Sequence, residues 1–279
     1  LELNQFIELA LAEDVAQGDY STLASIPSTE RGHAVLKIKE DGIIAGIDVA
    51  TAIFHFLEPD ATFQYYKKDG DLIKNGEKAF EVSASVHTIL KAERLALNCM
   101  QRMSGIATLT HKYVKKIEGT RSKILDTRKT TPLFRYFEKE AVRLGGGYNH
   151  RMGLYDMIML KDNHIDYCGG ITKAIEKTNA YLADNNLNLK IEVETRSLED
   201  IRAVLATGKV HRIMLDNFSP ELLQQGVALI NGRFETEASG GINYDNIEAY
   251  AQTGVDYISV GALTHHAVSL DLSLKAIQQ

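Results

Sequence analysis

From about residue 120 to about residue 265 the chain repeats one plan: a short apolar run ends in a polar or glycine cluster, and a helical pattern follows. The runs are Lys123-Ile-Leu-Asp126, Asp156-Met-Ile-Met-Leu-Lys161, Leu189-Lys-Ile-Glu-Val-Glu194, Arg212-Ile-Met-Leu-Asp216, Phe234-Glu-Thr-Glu-Ala-Ser239 and Asp256-Tyr-Ile-Ser-Val-Gly261. This alternation predicts βα units and a parallel sheet. The last four runs end at 194, 216, 239 and 261, an even spacing that favours a barrel over an irregular sheet.

Boundary signals support the intervening helices. Thr131 is a candidate cap with Pro132 at the first helical position, Phe134, Phe137, Ala141 and Leu144 form an apolar stripe, and Gly145 ends it. Ser197 and Ser219-Pro220 open two further helices, and a helix over 245–252 stops at Gly254. The first hundred residues read differently: a helix over 3–12, then alternating strands with turns at Asp41-Gly42, Asp69-Gly70 and Asn75-Gly76, which predict an antiparallel sheet. A helical pattern from about 86 to 117, interrupted at Ser104-Gly105, joins the two parts.

Composition narrows the function classes. At 279 residues, 44% hydrophobic and 24% charged, the chain is long enough for a sizeable core. No stretch approaches the roughly 18–20 apolar residues of a membrane span, and the start carries no secretory pattern. Cys99 and Cys168 are too few for a disulfide framework and lack zinc-ligand spacing, which points to a reducing cytoplasm. A net charge of −6 without a long basic run argues against nucleic acid. Against that background, residues 126–164 hold seven Lys/Arg and five Asp/Glu, a local excess of +2. A basic island in an acidic chain predicts an anion pocket.

In a parallel barrel the functional groups gather at the C-terminal ends of the strands. Here that rim reads Asp126-Thr127-Arg128-Lys129, Lys161, Glu194, Asp216, Ser239-Gly240-Gly241 and Gly261-Ala262. The glycine pairs after the last two runs suit phosphate bound by backbone N–H groups, with His265 as a further donor. Glu194 and Asp216 offer hard oxygen ligands for Mg²⁺ and negative charge to face a cationic transition state. Arg128, Lys129, His150, Arg151 and Lys161 supply donors for a carboxylate-rich substrate. The residues alone therefore imply a barrel that takes a phosphorylated ligand, a divalent metal and a polyanion. They leave the reaction open, a Schiff-base aldolase using Lys161 or Lys129 and a non-catalytic phosphate-binding module included.

The motifs Asp126-Thr-Arg-Lys-Thr-Thr-Pro, Gly145-Gly-Gly-Tyr-Asn-His-Arg-Met-Gly-Leu-Tyr-Asp, Lys161-Asp-Asn-His-Ile, Glu192-Val-Glu194, Leu215-Asp-Asn217 and Ala238-Ser-Gly-Gly-Ile242 together closely resemble the quinolinate phosphoribosyltransferases. The resemblance extends to Glu93-Arg94-Leu-Ala-Leu-Asn98 and Ser104-Gly-Ile-Ala107. It implies an N-terminal α/β sandwich over 1–105 and an open, seven-stranded parallel α/β barrel over 106–266, an incomplete TIM-like barrel of the type II phosphoribosyltransferase kind. Residues 267–279 would pack back on the first domain.

The implied reaction joins quinolinate to 5-phosphoribosyl-1-pyrophosphate (PRPP) with Mg²⁺, giving nicotinate mononucleotide, pyrophosphate and CO₂. Lys129, Lys161, Glu194 and Asp216 would be catalytic. Thr127, Arg128, Lys129, His150, Arg151 and Lys161 would bind substrate, with Arg94 supplied by the partner of a homodimer that could assemble further into a hexamer. Ser239, Gly240, Gly241, Gly261, Ala262 and His265 would hold the phosphoribosyl group. The rival within this fold is a relative that acts on another pyridine carboxylate without decarboxylation.

Overall fold

The computed structural model describes residues 2–277. Its first half contains α1 (Leu3–Val15), α2 (Tyr20–Ser25), β1 (Arg31–Ile38), β2 (Gly42–Ile43), α3 (Ile47–Leu57), β3 (Thr62–Tyr65), β4 (Leu72–Ile73), β5 (Lys78–Ser85) and α4 (Val86–Lys116). Then come β6 (Lys123–Leu125), α5 (Arg135–Leu144), β7 (Ile158–Leu160), α6 (Asp162–Cys168), α7 (Ile171–Asp184), β8 (Ile191–Thr195), α8 (Leu198–Thr207) and β9 (Arg212–Asp216). The chain finishes with α9 (Pro220–Ile230), β10 (Glu235–Ser239), α10 (Ile247–Ala251), β11 (Tyr257–Ser259), α11 (Ala262–His265) and β12 (Leu272–Ala276). Two compact units result: residues up to His111 with Thr131–Gly146 and the stretch from His266, and Lys112–Thr130 with Gly147–His265.

The first unit is built on a four-stranded antiparallel sheet of order β12-β1-β5-β3. Its C-terminal edge strand pairs with β1 from Ala34↔Ala276 to Ile38↔Leu272; the last two residues of the tail lie outside the described residues. Buried Leu36, Ile38, Phe80 and Val82 line the sheet, and Phe63 meets both Phe54 of α3 and Phe80 edge-on, at 5.6 and 5.4 Å between centroids. Each such side chain contributes about 1.5–3 kcal/mol on full burial.

Three local expectations change here. The segment 131–146 leaves the contiguous 106–266 block, because Phe134 and Phe137 pack tilted against Phe6 of α1, at 5.7 and 4.6 Å between centroids. Helix α5 itself starts three residues later than Pro132: Leu133 is left-handed at φ +62°, and Thr131, instead of capping, donates its amide and hydroxyl to Glu138 at 3.1 and 2.9 Å. Helix α4 runs unbroken through Ser104-Gly105. Gly105 marks a close approach: a Cβ there would lie 2.0 Å from the Val268 carbonyl oxygen, and that packing offsets the roughly 1 kcal/mol a helical glycine costs.

The second unit carries a parallel sheet of order β6-β11-β10-β9-β8-β7. Six strands are regular where seven are expected. The remaining position shrinks to one residue, Tyr148, bridged in parallel to Leu125 beyond β6. Among the described residues nothing pairs Tyr148 with β7, so the barrel is open at that seam. Ser197 and Ser219 cap α8 and α9 through the amides of Asp200 and Leu222, which fixes each helix start three or four residues past a strand end and keeps the βα loops short.

Candidate active site

The first and last strand ends of the second unit adjoin because β6 pairs with β11. Thr127 Oγ1 accepts the Lys129 amide at 3.0 Å, turning the loop so that Arg128 and Lys129 are exposed. The Lys129 carbonyl in turn accepts Thr264 Oγ1 at 2.7 Å. A Cβ on Gly261 would stand 2.9 Å from His265 Nε2 and 3.1 Å from Lys129 Cδ. Lys129, Gly261 and His265 therefore share one corner, with Ala262 opening the single turn of α11 beside them.

Asp126 is not a rim group. Fully buried, it accepts Asn149 Nδ2 at 2.6 Å and the His150 amide at 2.8 Å, and so anchors the irregular stretch after Tyr148. Arg151 leaves that stretch half-buried, with Nη1 donating to the Met157 carbonyl at 3.2 Å. Burial and the neighbouring Arg128 guanidinium both lower its pKa. Two guanidinium groups that repel each other in this way mark a place for an anion.

Across the rim stand the carboxylates. Glu194, next to last in β8, is almost buried, its Oε2 3.4 Å from the ammonium of Lys161, which follows β7. Asp216 ends β9 and accepts Ser239 Oγ at 2.6 Å and Asn217 Nδ2 at 2.6 Å. Asn217 is left-handed at φ +57°, which brings its side chain against Gly240. A Cβ at Gly240 would lie 2.2 Å from Asn217 Oδ1, and φ of +89° would strain any other residue on backbone grounds as well. Gly241 follows at φ +61°, its carbonyl held by Asn246 Nδ2. Ser239, Gly240 and Gly241 thus form a tight turn beside Asp216.

His150 departs from the expected role of substrate donor. Its ring is 5% exposed, with Nε2 2.9 Å from Glu192 Oε2 and 3.3 Å from Glu237 Oε2, while Nδ1 accepts the Arg151 amide at 2.6 Å. Both nitrogens serve the protein. Burial opposes a charge on the ring, yet the two carboxylates outweigh it and raise its pKa to about 9. Glu192 is pushed up to about 7 by burial and by Glu237. Glu237, despite its burial, is held at about 2 by His150, Arg212 and Ser259.

A pH dependence follows from His150. Its folded pKa is raised from 6.5, so its stabilisation is full below pH 6.5 and is lost as pH rises through about 9. The expected loss is about 2–3 kcal/mol. Thermal midpoints should fall from pH 6.5 to 9, and His150→Gln should flatten the fall. An equally steep fall in the variant would remove His150 as the cause.

Neither Glu192, Glu237 nor Arg212 was expected at the site. The available signal was alternation: in a strand buried on both faces, a charged residue two positions before Glu194 must enter the same interior row. Arg94, on α4 of the first unit, is exposed, and its local sequence carries no sign of a role.

Comparison with known proteins agrees along the whole chain. The family models for the quinolinate phosphoribosyl transferase N-terminal and C-terminal domains match residues 19–104 and 106–275. The chain is 46% identical to the chloroplastic nicotinate-nucleotide pyrophosphorylase [carboxylating] of Arabidopsis thaliana, over 98% of this chain and 82% of that protein. It is 42% identical to the probable nicotinate-nucleotide pyrophosphorylase [carboxylating] of Bacillus subtilis, over 98% and 93%. The crystal structure of NadC from Streptococcus pyogenes superposes with a TM-score of 0.93 at 43% identity, covering 99% of this chain and 97% of that one.

Proposed function

We propose, from the premise that this chain belongs to the quinolinate phosphoribosyltransferase family, a division of labour among its site residues. The enzyme is a pentosyltransferase of de novo NAD biosynthesis. It joins quinolinate to the ribosyl carbon of PRPP and releases pyrophosphate and CO₂, leaving nicotinate mononucleotide.

The observation that carries the assignment is the pairing of opposites on one rim: mutually repelling Arg128 and Arg151 on one side, Lys161 against Glu194 on the other. Arg128, Arg151 and Lys161, with Thr127, receive the two carboxylates of quinolinate and aim its ring nitrogen at C1 of the ribose. Glu194 and Asp216 stabilise the positive charge that develops on the ribose as pyrophosphate departs. Ser239, Gly240, Gly241, Gly261, Ala262 and His265 cradle the phosphoribosyl phosphate. Attack turns the ring nitrogen into a pyridinium, which accepts the electron pair left when the 2-carboxylate leaves as CO₂. Lys161 shares its charge with Glu194 at 3.4 Å, and this moderates its hold on a group that must depart.

Mg²⁺ fits this rim. Glu194 and Asp216 are hard oxygen donors whose present partners leave lone pairs unused. When bound, the ion would neutralise charge on the leaving pyrophosphate. The site is completed in a homodimer, with Arg94 reaching quinolinate from the second copy. The free thiols of Cys99 and Cys168 suit the reducing cytoplasm; among the described residues no helix is long and apolar enough to cross a membrane.

The test is release of label from quinolinate carrying ¹⁴C in its 2-carboxylate. Label should appear as CO₂ only with PRPP present; nucleotide formed with label retained would overturn decarboxylation. A second measurement concerns Lys129, placed beside Gly261 and His265 and one residue from Arg128. If it bridges the two substrates, Lys129→Ala lowers kcat as well as raising both KM values, with kcat/KM falling about 100-fold, or ~3 kcal/mol. Unchanged turnover with only a raised quinolinate KM would reject the bridge.

A further inference from the structure

Below the rim lies a layer of barrel interior that the reaction leaves unassigned. Interiors of this kind are ordinarily filled by branched apolar side chains. Here the layer holds Glu192 of β8, Arg212 of β9, Glu237 of β10 and Ser259 of β11. Glu192 and Glu237 are fully buried. Arg212 Nη1 donates to Glu237 Oε2 at 2.8 Å, and Ser259 Oγ donates to Glu237 Oε1. His150 enters from the irregular stretch after Tyr148 and closes the group on Glu192 and Glu237.

The ligand atoms of His150, Glu192 and Glu237 lie within 4.8 Å of one another, as a metal site would require. Arg212 argues against one. Arg212 already answers Glu237 at 2.8 Å, and a divalent ion beside its guanidinium would be repelled within a buried layer. The cluster is better explained by what His150 is attached to.

Residues 149–151 have no helix or strand of their own. Their course is fixed by side-chain anchors: Asp126 holds the Asn149 side chain and the His150 amide, Glu192 and Glu237 hold the His150 ring, and that ring takes the Arg151 amide. The ring is thus the link between the barrel interior and the backbone of a guanidinium that faces the rim. We propose that Glu237, acting through His150, is a positioning residue that sets the Arg151 guanidinium for recognition of the pyridine dicarboxylate. The proposal rests on the assignment of Arg151 to quinolinate made above. The phosphoribosyl cradle is built on other contacts, those of Asp216 with Ser239 and Asn217 and of Asn217 with Gly240.

The two substrates should therefore respond differently. In Glu237→Gln, the quinolinate Kd is expected to rise about tenfold or more while the PRPP Kd changes less than about twofold. His150→Gln should give the same split, and the double variant should be no weaker than the worse single one, because both changes cut one chain of contacts. Equal weakening of both substrates, or an unchanged quinolinate Kd, would overturn the positioning role.

If Glu237→Gln does not fold, the wild-type enzyme decides. With ¹⁵N-histidine labelling, the His150 Nε2–H signal should be slow to exchange and should stay carboxylate-bonded when quinolinate is added; loss of that signal on binding would show a ring that turns to the ligand instead. Wild-type quinolinate affinity is measured first. Its absence would overturn the assignment of Arg151, and this inference with it, whereas wild-type binding with no split in the variants overturns the inference alone.

Discussion

Arg94→Ala and Lys161→Ala proteins, each inactive alone, should recover activity when mixed. If each site takes Lys161 from one chain and Arg94 from the other, random reassortment makes half the dimers mixed. In each of these one site carries both changes and the other neither. About 25% of wild-type activity should return at equal concentrations. The effect is large because each single substitution removes a cation that faces a carboxylate, and loss of one partner of a desolvated charge pair costs about 2–5 kcal/mol. Recovery should grow with incubation time, since it requires subunit exchange. A mixture that stays inactive while mass measurement shows mixed dimers would place Arg94 outside the shared site.

Gly240→Ala should abolish use of PRPP with little effect on quinolinate binding. The new methyl group would collide with Asn217 Oδ1 at 2.2 Å and with the Asn217 amide nitrogen at 2.8 Å, and it sits at φ +89°. Side-chain motion relieves only the first contact; the second is backbone, and moving it displaces Asp216, whose carboxylate is held by Asn217 and Ser239. A loss of about 100-fold or more in PRPP kcat/KM is expected. Gly241→Ala is the informative control. Its φ of +61° carries strain, but nothing lies within 4 Å of its would-be Cβ, so its loss should be smaller. Equal losses in both variants would attribute the effect to backbone strain and remove the steric argument.

Much of this site is written in periodicity, and the missed parts are missed for identifiable reasons. Strand β9 over Arg212–Asp216 and the caps at Ser197 and Ser219 fall where local pattern puts them, since each depends on neighbours within a few residues. Thr131 and Gly105 mislead because their partners, Glu138 and Val268, are tertiary: a strong local signal loses to a buried carboxylate in one case and a carbonyl contact in the other. His150 reads as a substrate ligand because it stands with four other cations in the basic island and in a motif of the family it resembles. Its orientation is decided by Glu192 and Glu237, 42 and 87 residues away in sequence, which no local pattern reveals. Tyr148 could not be read as a strand at all, because a single bridge has no period.

The pairings β1 with β12 and β6 with β11 have a consequence for the order in which the molecule is made. Each joins an early strand of its sheet to one of the last strands to be synthesised. During translation β1 therefore lacks one neighbour until Leu272–Ala276 emerges, and β6 has only the Tyr148 bridge until Tyr257–Ser259 does. Contacts this distant form slowly and leave strand edges open to other chains in the meantime. The nascent enzyme is thus exposed to aggregation along these two edges until residues 257–276 have arrived.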